Sequence, residues 1–262
     1  MPEQARIPQR SQRTLPSQPG RSQAGRAHPG RPRSTAGTAA ADRPEAREQV
    51  TDILVRVADA ELDGVLGTPE TPRGIVLFAH GSGSSRHSPR NRLVAKALYR
   101  AGYAVVLVDL FTPAEEQEEQ RTGRVRFDID LLARRVGGVV DWLEGNPDTA
   151  GLPLGLFGAS TGAAGALAVA AQRPESVRAV VSRGGRPDLA SAWLTTVATP
   201  TLLVVGALDH PVLELNRQAA DALGDLARVK VVPGATHPFE EPGTLDQVAT
   251  HATAWFSRWA AR

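Results

Sequence analysis

From residue 75 onward, short and mostly apolar runs recur along the chain, unbroken at 75–79 and interrupted by single polar residues such as Arg178 and Lys230 in later ones, each followed by a polar or Gly-rich loop and then by a segment of helical period. The runs lie at 75–79, 104–108, 154–157, 177–181, 201–205 and 229–232. A run without polar alternation fits a strand buried on both faces, and so predicts a sheet with helices above and below it. The intervening segments predict helices ending near Arg100, spanning about 127–143, following Ser160, at 189–193, ending near Leu223, and at 244–260. Upstream, 52–57 and 61–66 read as a hairpin, and 68–74 as a turn-rich break. The stretch 113–126 is acidic and polar and shows no apolar period. Strands alternating with helices imply a mostly parallel sheet, whose ligands bind at the carboxyl ends of the strands.

Composition divides the chain in two. Residues 1–48 are rich in Pro, Gln, Ser, Arg, Gly and Ala, with Met1, Ile7 and Leu15 as the sizeable apolar side chains. That is too little burial to offset the entropy of ordering them, so a disordered extension is expected, followed by one catalytic domain over 49–262. The extension holds nine Arg against four acids, which leaves residues 49–262 mildly acidic within an overall charge of +2. An Arg-rich tail is compatible with nucleic-acid contact, although a solvated extension or a start codon placed too far upstream is preferred, and none is expected from the folded domain. The absence of cysteine excludes disulfides, thiolate metal sites and a cysteine nucleophile. No run approaches the ~18 apolar residues of a membrane span, and no apolar signal core is present, so a soluble cytoplasmic protein is expected.

The chemistry centres on Gly158-Ala159-Ser160-Thr161-Gly162, where an apolar run meets an Ala-rich helical segment. A strand turning sharply into a helix brings backbone against backbone, which small residues on either side of the serine permit. The hydroxyl is then lifted clear of the sheet, beside the positive end of the following helix. A serine needs a base, and the base needs an acid, on loops after later strands. Asp209 follows the run at 201–205, and His237 the run at 229–232. Asp188 and Asp225 are alternative acids; Asp209 is preferred because it follows the strand directly before the histidine-bearing one. His251 falls within a helix. An oxyanion hole needs two backbone donors: Thr161, and a residue of the 80–83 loop, Ser82 in preference to Gly83. His80 is expected to brace that loop by hydrogen bonding.

Arg86, His87, Arg90 and Arg92 crowd one expected site loop, and Arg183 and Arg186 another. Gly83, Arg86 and Arg183 are the candidate substrate-binding residues, for a carboxylate or phosphate. The competing reading is that the arginines pair with Asp109, Asp188 or the acids at 115–119. No histidine pair has metal-ligand spacing on one helix, so no metal and no cofactor are expected. Only about 20 residues separate the runs at 177–181 and 201–205, too few for a large lid, so the site should be open and suited to small substrates.

From about Val50 onward the chain resembles the α/β-hydrolase superfamily, and within it the dienelactone hydrolase-like group. The likeness is carried by the loop at 80–91, the Gly158–Gly162 turn, Ser182-Arg183-Gly184-Gly185-Arg186-Pro187-Asp188 and the segment at 233–243. It implies an α/β-hydrolase fold without a cap domain, and a hydrolytic triad. True dienelactone hydrolases carry a cysteine nucleophile where this chain has Ser160. Proteins similar to this one also occur fused to phosphoribosyltransferase domains. The expected function is a serine carboxylesterase acting on a small-molecule ester through an acyl-enzyme. Thioester or lactone hydrolysis by the same residues, or a non-catalytic binding module, are the alternatives. Oligomeric state is not legible.

Overall fold

The structure is a computed structural model that describes residues 49–81 and 83–260; the extension expected over 1–48 and Ser82 lie outside the described residues. The strands are β1 (Val50–Val57), β2 (Ala60–Gly67), β3 (Ile75–Ala79), β4 (Ala104–Val108), β5 (Leu154–Ala159), β6 (Val177–Arg183), β7 (Thr201–Gly206) and β8 (Ala227–Val232). The helices are α1 (Pro89–Arg100), α2 (Pro113–Thr122), α3 (Ile129–Gly145), α4 (Thr161–Gln172), α5 (Ser191–Leu194), α6 (His210–Leu223) and α7 (Thr244–Trp259). All eight strands join one sheet in the order β1-β2-β4-β3-β5-β6-β7-β8. β1 and β2 form the expected hairpin, and β2 runs antiparallel to β4. Every other pairing is parallel.

β3, β4, β5 and β7 are buried at every position, as their unbroken apolar character requires. One face of the sheet packs against α3, α4 and α6, through side chains such as Leu132, Val136, Leu167 and Leu223. The other packs against α1 and α7, through Val94, Leu98, Val248 and Phe256. α1, α3, α6 and α7 supply these side chains at helical spacing while their outer faces stay polar, whereas the Ala-rich α4 is buried from Thr161 to Ala170.

Two elements exceed the apolar pattern. The acidic stretch is a helix, α2, followed by a 3-10 turn at Val125–Phe127. Its start is a capping box: the Thr112 hydroxyl accepts from the Glu115 N–H (3.3 Å), and the Glu115 carboxylate accepts from the Thr112 N–H (2.7 Å). Gly123 ends it at φ 64°. Polar on nearly all sides, it is held by its caps and by ion pairs rather than by an apolar stripe. β6 continues past its apolar run to Arg183, which is consequential below. After β6 there is only a 3-10 turn at Pro187–Ala190 and α5 before β7, so the described chain has no cap inserted there. Among the described residues, no helix is long and apolar enough to cross a membrane.

Candidate active site

β5 ends at Ala159 and α4 begins at Thr161, so Ser160 alone reverses the chain, at φ 51° and ψ −124°. A side chain at positive φ is strained, and persists here because the surrounding backbone leaves no alternative. A Cβ on Gly158 would lie 2.4 Å from the Ala163 Cα, and one on Gly162 only 2.3 Å from the Ala79 carbonyl oxygen. The segment after β6 pins the turn: the Ser160 N–H donates to the Arg183 carbonyl (3.2 Å), and the Ser160 carbonyl accepts from the Arg186 N–H (3.1 Å). Thr161, buried, occupies the first position of α4, where a helix leaves its amides without intrahelical acceptors.

Asp209 and His237 come together across the loops after β7 and β8, with His237 Nδ1 at 2.6 Å from Asp209 Oδ2. Against a carboxylate, Nδ1 carries the proton and donates it, which leaves the Nε2 lone pair free. Asp209 heads α6 yet caps none of its amides, so its side chain serves the histidine and not the helix. The two loops interlock: the Leu208 N–H donates to the Ala235 carbonyl (2.9 Å), and a Cβ on Gly206 would strike the same oxygen at 2.3 Å. The Thr236 hydroxyl (2.5 Å) and N–H (3.1 Å) donate to Glu241, which closes the histidine loop and holds that carboxyl below its ordinary range. Gly184, at φ 51°, packs beside the imidazole; an added Cβ would lie 3.5 Å from Nδ1.

Ser160 and His237 line one cavity of about 300 Å³, together with Gly81, Ser84, Arg90, Arg126 and Arg183. Asp188, the alternative acid, is engaged by Arg186 at 2.7 and 2.8 Å instead. His80 is 3% exposed; its Nε2 accepts from the Leu110 N–H and its Nδ1–H donates to the Gly81 carbonyl, both at 2.8 Å. Burial pushes its pKa down, so it is a neutral strut between β3 and β4. A Cβ on Gly81 would lie 2.9 Å from the Ser160 Cβ, so the strut holds the loop directly against the serine.

The arginines divide in a way that residue type alone does not predict. Arg86 pairs with Asp109, and its NH1 reaches Asp63 at 3.6 Å, so the structure does not bring it into the Ser160 cavity. Gly83, at φ 62°, lines a neighbouring cavity of about 310 Å³ with Asp63, Asp109 and Glu116. Arg183 does line the Ser160 cavity. Arg126 joins it from the 3-10 turn, and no motif in the acidic stretch points to that role. Among the described residues, no group of three or more His, Cys, Asp or Glu could hold a metal ion.

A profile of the dienelactone hydrolase family matches residues 62–261. This chain belongs to the dienelactone hydrolase family. The family member is 52% identical to a dienelactone hydrolase from Anabaena variabilis of known structure, which covers 82% of this chain and all of that one, with a TM-score of 0.80. Est1E from Butyrivibrio proteoclasticus shares the fold at 14% identity and a TM-score of 0.67, covering 79% of this chain and 98% of its own. Two curated Mycobacterium tuberculosis proteins, provisionally named phosphoribosyl transferases, are each 56% identical over 83% of this chain. The chain spans about half (48%) of their length.

Proposed function

We propose that this family member is a serine hydrolase that cleaves small carboxylic esters through an acyl-enzyme. Ser160 attacks the carbonyl carbon while His237 Nε2 takes its proton; Asp209 keeps the imidazole in the required tautomer and stabilises the imidazolium. The Thr161 N–H and a donor of the loop after β3, for which Ser82 is the candidate, hold the oxyanion. His237 then protonates the leaving alcohol, and water releases the acid by the reverse sequence. The reading rests on one observation: a serine held at positive φ shares a cavity with a histidine whose far nitrogen is tied to a carboxylate.

Covalent labelling by a fluorophosphonate probe and hydrolysis of p-nitrophenyl acetate test this, with Ser160→Ala as control. Both should vanish in the variant; labelling that persists there refutes the assignment. Lactone opening is the second reading, supported by the 52% identical Anabaena protein, whose name is dienelactone hydrolase. The same residues would perform it, with the leaving alcohol retained in the product. The transferase name of the mycobacterial relatives applies to proteins about twice as long. We assign hydrolysis to the part matched by this chain.

A further inference from the structure

Arg183, the last residue of β6, is 8% exposed and has no acidic partner among the described residues. Its NH2 makes a long hydrogen bond to Asn91 Oδ1 (3.4 Å), its guanidinium carbon lies 6.0 Å from the centre of the Phe239 ring, and its Nε has no hydrogen-bond partner. Burial, and then the charge of Arg90, bring its pKa down to about 10, so the group remains charged at neutral pH. Phe239 holds its position from a backbone at φ 57°. A desolvated, unpaired guanidinium is costly, and here it faces the Ser160 cavity.

Two more arginines reach that cavity from separate elements. Arg126 is ion-paired with Glu119, which is buried, so its charge is already met. Arg90 of α1 pairs with Glu240 at 3.0 Å, but Glu240 is 68% exposed, and the Arg90 Nε is buried without a hydrogen-bond partner. A pair open to water is weak and readily exchanged for a better acceptor. Two positive charges, borne by Arg183 and Arg90, are therefore available to a ligand, with a third guanidinium beside them.

We propose that Arg90, Arg126 and Arg183 form a phosphate subsite beside Ser160, so that the ester cleaved carries a phosphate monoester group. This deepens the hydrolase reading and rests on it for the reaction. A carboxylate has two oxygens in one plane and one charge, which a single guanidinium fork satisfies. Three guanidinium groups from three elements, two of them available, match a tetrahedral dianion with three terminal oxygens. The phosphate is a handle and changes no bond. The bond broken is between the acyl carbon and the ester oxygen, and water contributes the hydroxyl of the acid and the proton of the alcohol.

Titration calorimetry of inorganic phosphate into the full chain carrying Ser160→Ala reads binding without turnover. One phosphate per chain is expected, with acetate about tenfold weaker or worse. Arg183→Met should weaken phosphate about tenfold or more, without lowering the unfolding temperature in phosphate-free buffer, because an unpaired buried charge has been removed. A merely structural arginine would show the opposite. Arg90→Gln, altered at an exposed pair, is the second variant and should also weaken binding, whereas Arg186→Gln should leave it unchanged. The proposal fails if phosphate does not bind, if acetate binds as well, or if both variants bind phosphate like the parent. Fluorophosphonate labelling of the unmodified chain separates the two readings. Labelling without phosphate binding removes the subsite alone, and phosphate binding without labelling removes the hydrolase reading.

Discussion

His237 Nδ1 donates to Asp209 Oδ2 at 2.6 Å, and Asp209 forgoes capping α6 in order to accept it. An amide at position 209 keeps the size of the side chain but can present an NH₂ group to Nδ1, which reverses the tautomer and moves the proton to Nε2. Asp209→Asn is therefore expected to lower kcat for p-nitrophenyl acetate by about 10⁴-fold with little change in KM. Steady-state kinetics on the purified variant check this, and a change confined to KM would contradict the orienting role.

Gly162 leaves no space for a methyl group, because a Cβ would lie 2.3 Å from the Ala79 carbonyl and 2.5 Å from that of His80. Both contacts are backbone, and neither can rotate away. Gly162→Ala should cost on the order of 3 kcal/mol in urea unfolding, at the upper end of overpacking effects, since α4 must shift from β3. Unchanged stability would show that the helix start is looser than the geometry indicates.

His80 makes stability depend on pH. Burial lowers its pKa in the folded chain below the ordinary 6.5, so the unfolded chain binds the proton more readily. Its contribution is fully present above 6.5 and is lost as pH falls through that value towards the depressed folded pKa. The expected slope approaches 1.4 kcal/mol per pH unit, about the limit for one proton. Urea unfolding from pH 7.5 to 5 on the parent and His80→Asn would reveal it, with the variant less steep. The variant should also lose roughly 1–3 kcal/mol at pH 7.5, because the Leu110 N–H loses its acceptor.

Glu115 serves two elements, closing the capping box of α2 and accepting from Arg135 NH2 at 2.7 Å. Arg135 is 2% exposed and keeps Asp59, at 3.2 Å, as its other acidic partner. Glu115→Ala should cost roughly 2–3 kcal/mol, below the value for a fully buried pair because Glu115 is partly exposed and Asp59 remains. Glu118→Ala, whose partner Arg121 is exposed, should cost under about 1 kcal/mol and serves as the comparison.

The inner strands β3, β5 and β7 were legible because burial on both faces demands nearly unbroken apolar runs, and the runs at 75–79, 154–157 and 201–205 fall within them. The serine turn was legible because its two glycines answer to backbone contacts only one residue type permits. α2 was not recognised, since a helix fastened by caps and ion pairs has no apolar period to betray it. Its capping box, Thr112-Pro113-Ala114-Glu115, was nevertheless present to be read.

What local order along the chain could settle was the succession of strands and helices, and with it the order of Ser160, Asp209 and His237 in loops after the carboxyl ends of β5, β7 and β8. The partners of charged side chains lay beyond it. Arg86 and Arg183 look equivalent in the sequence, each in a Gly- and Ser-rich segment after a strand. Packing separates them: the first meets Asp109 just past the end of β4, whereas the second, buried as the last residue of β6, meets Asn91, an aromatic ring and the serine cavity. A charge takes its partner from whatever the fold brings within a few ångströms, and that distance exists only once β3, β4, β6 and the loop after β8 are packed together.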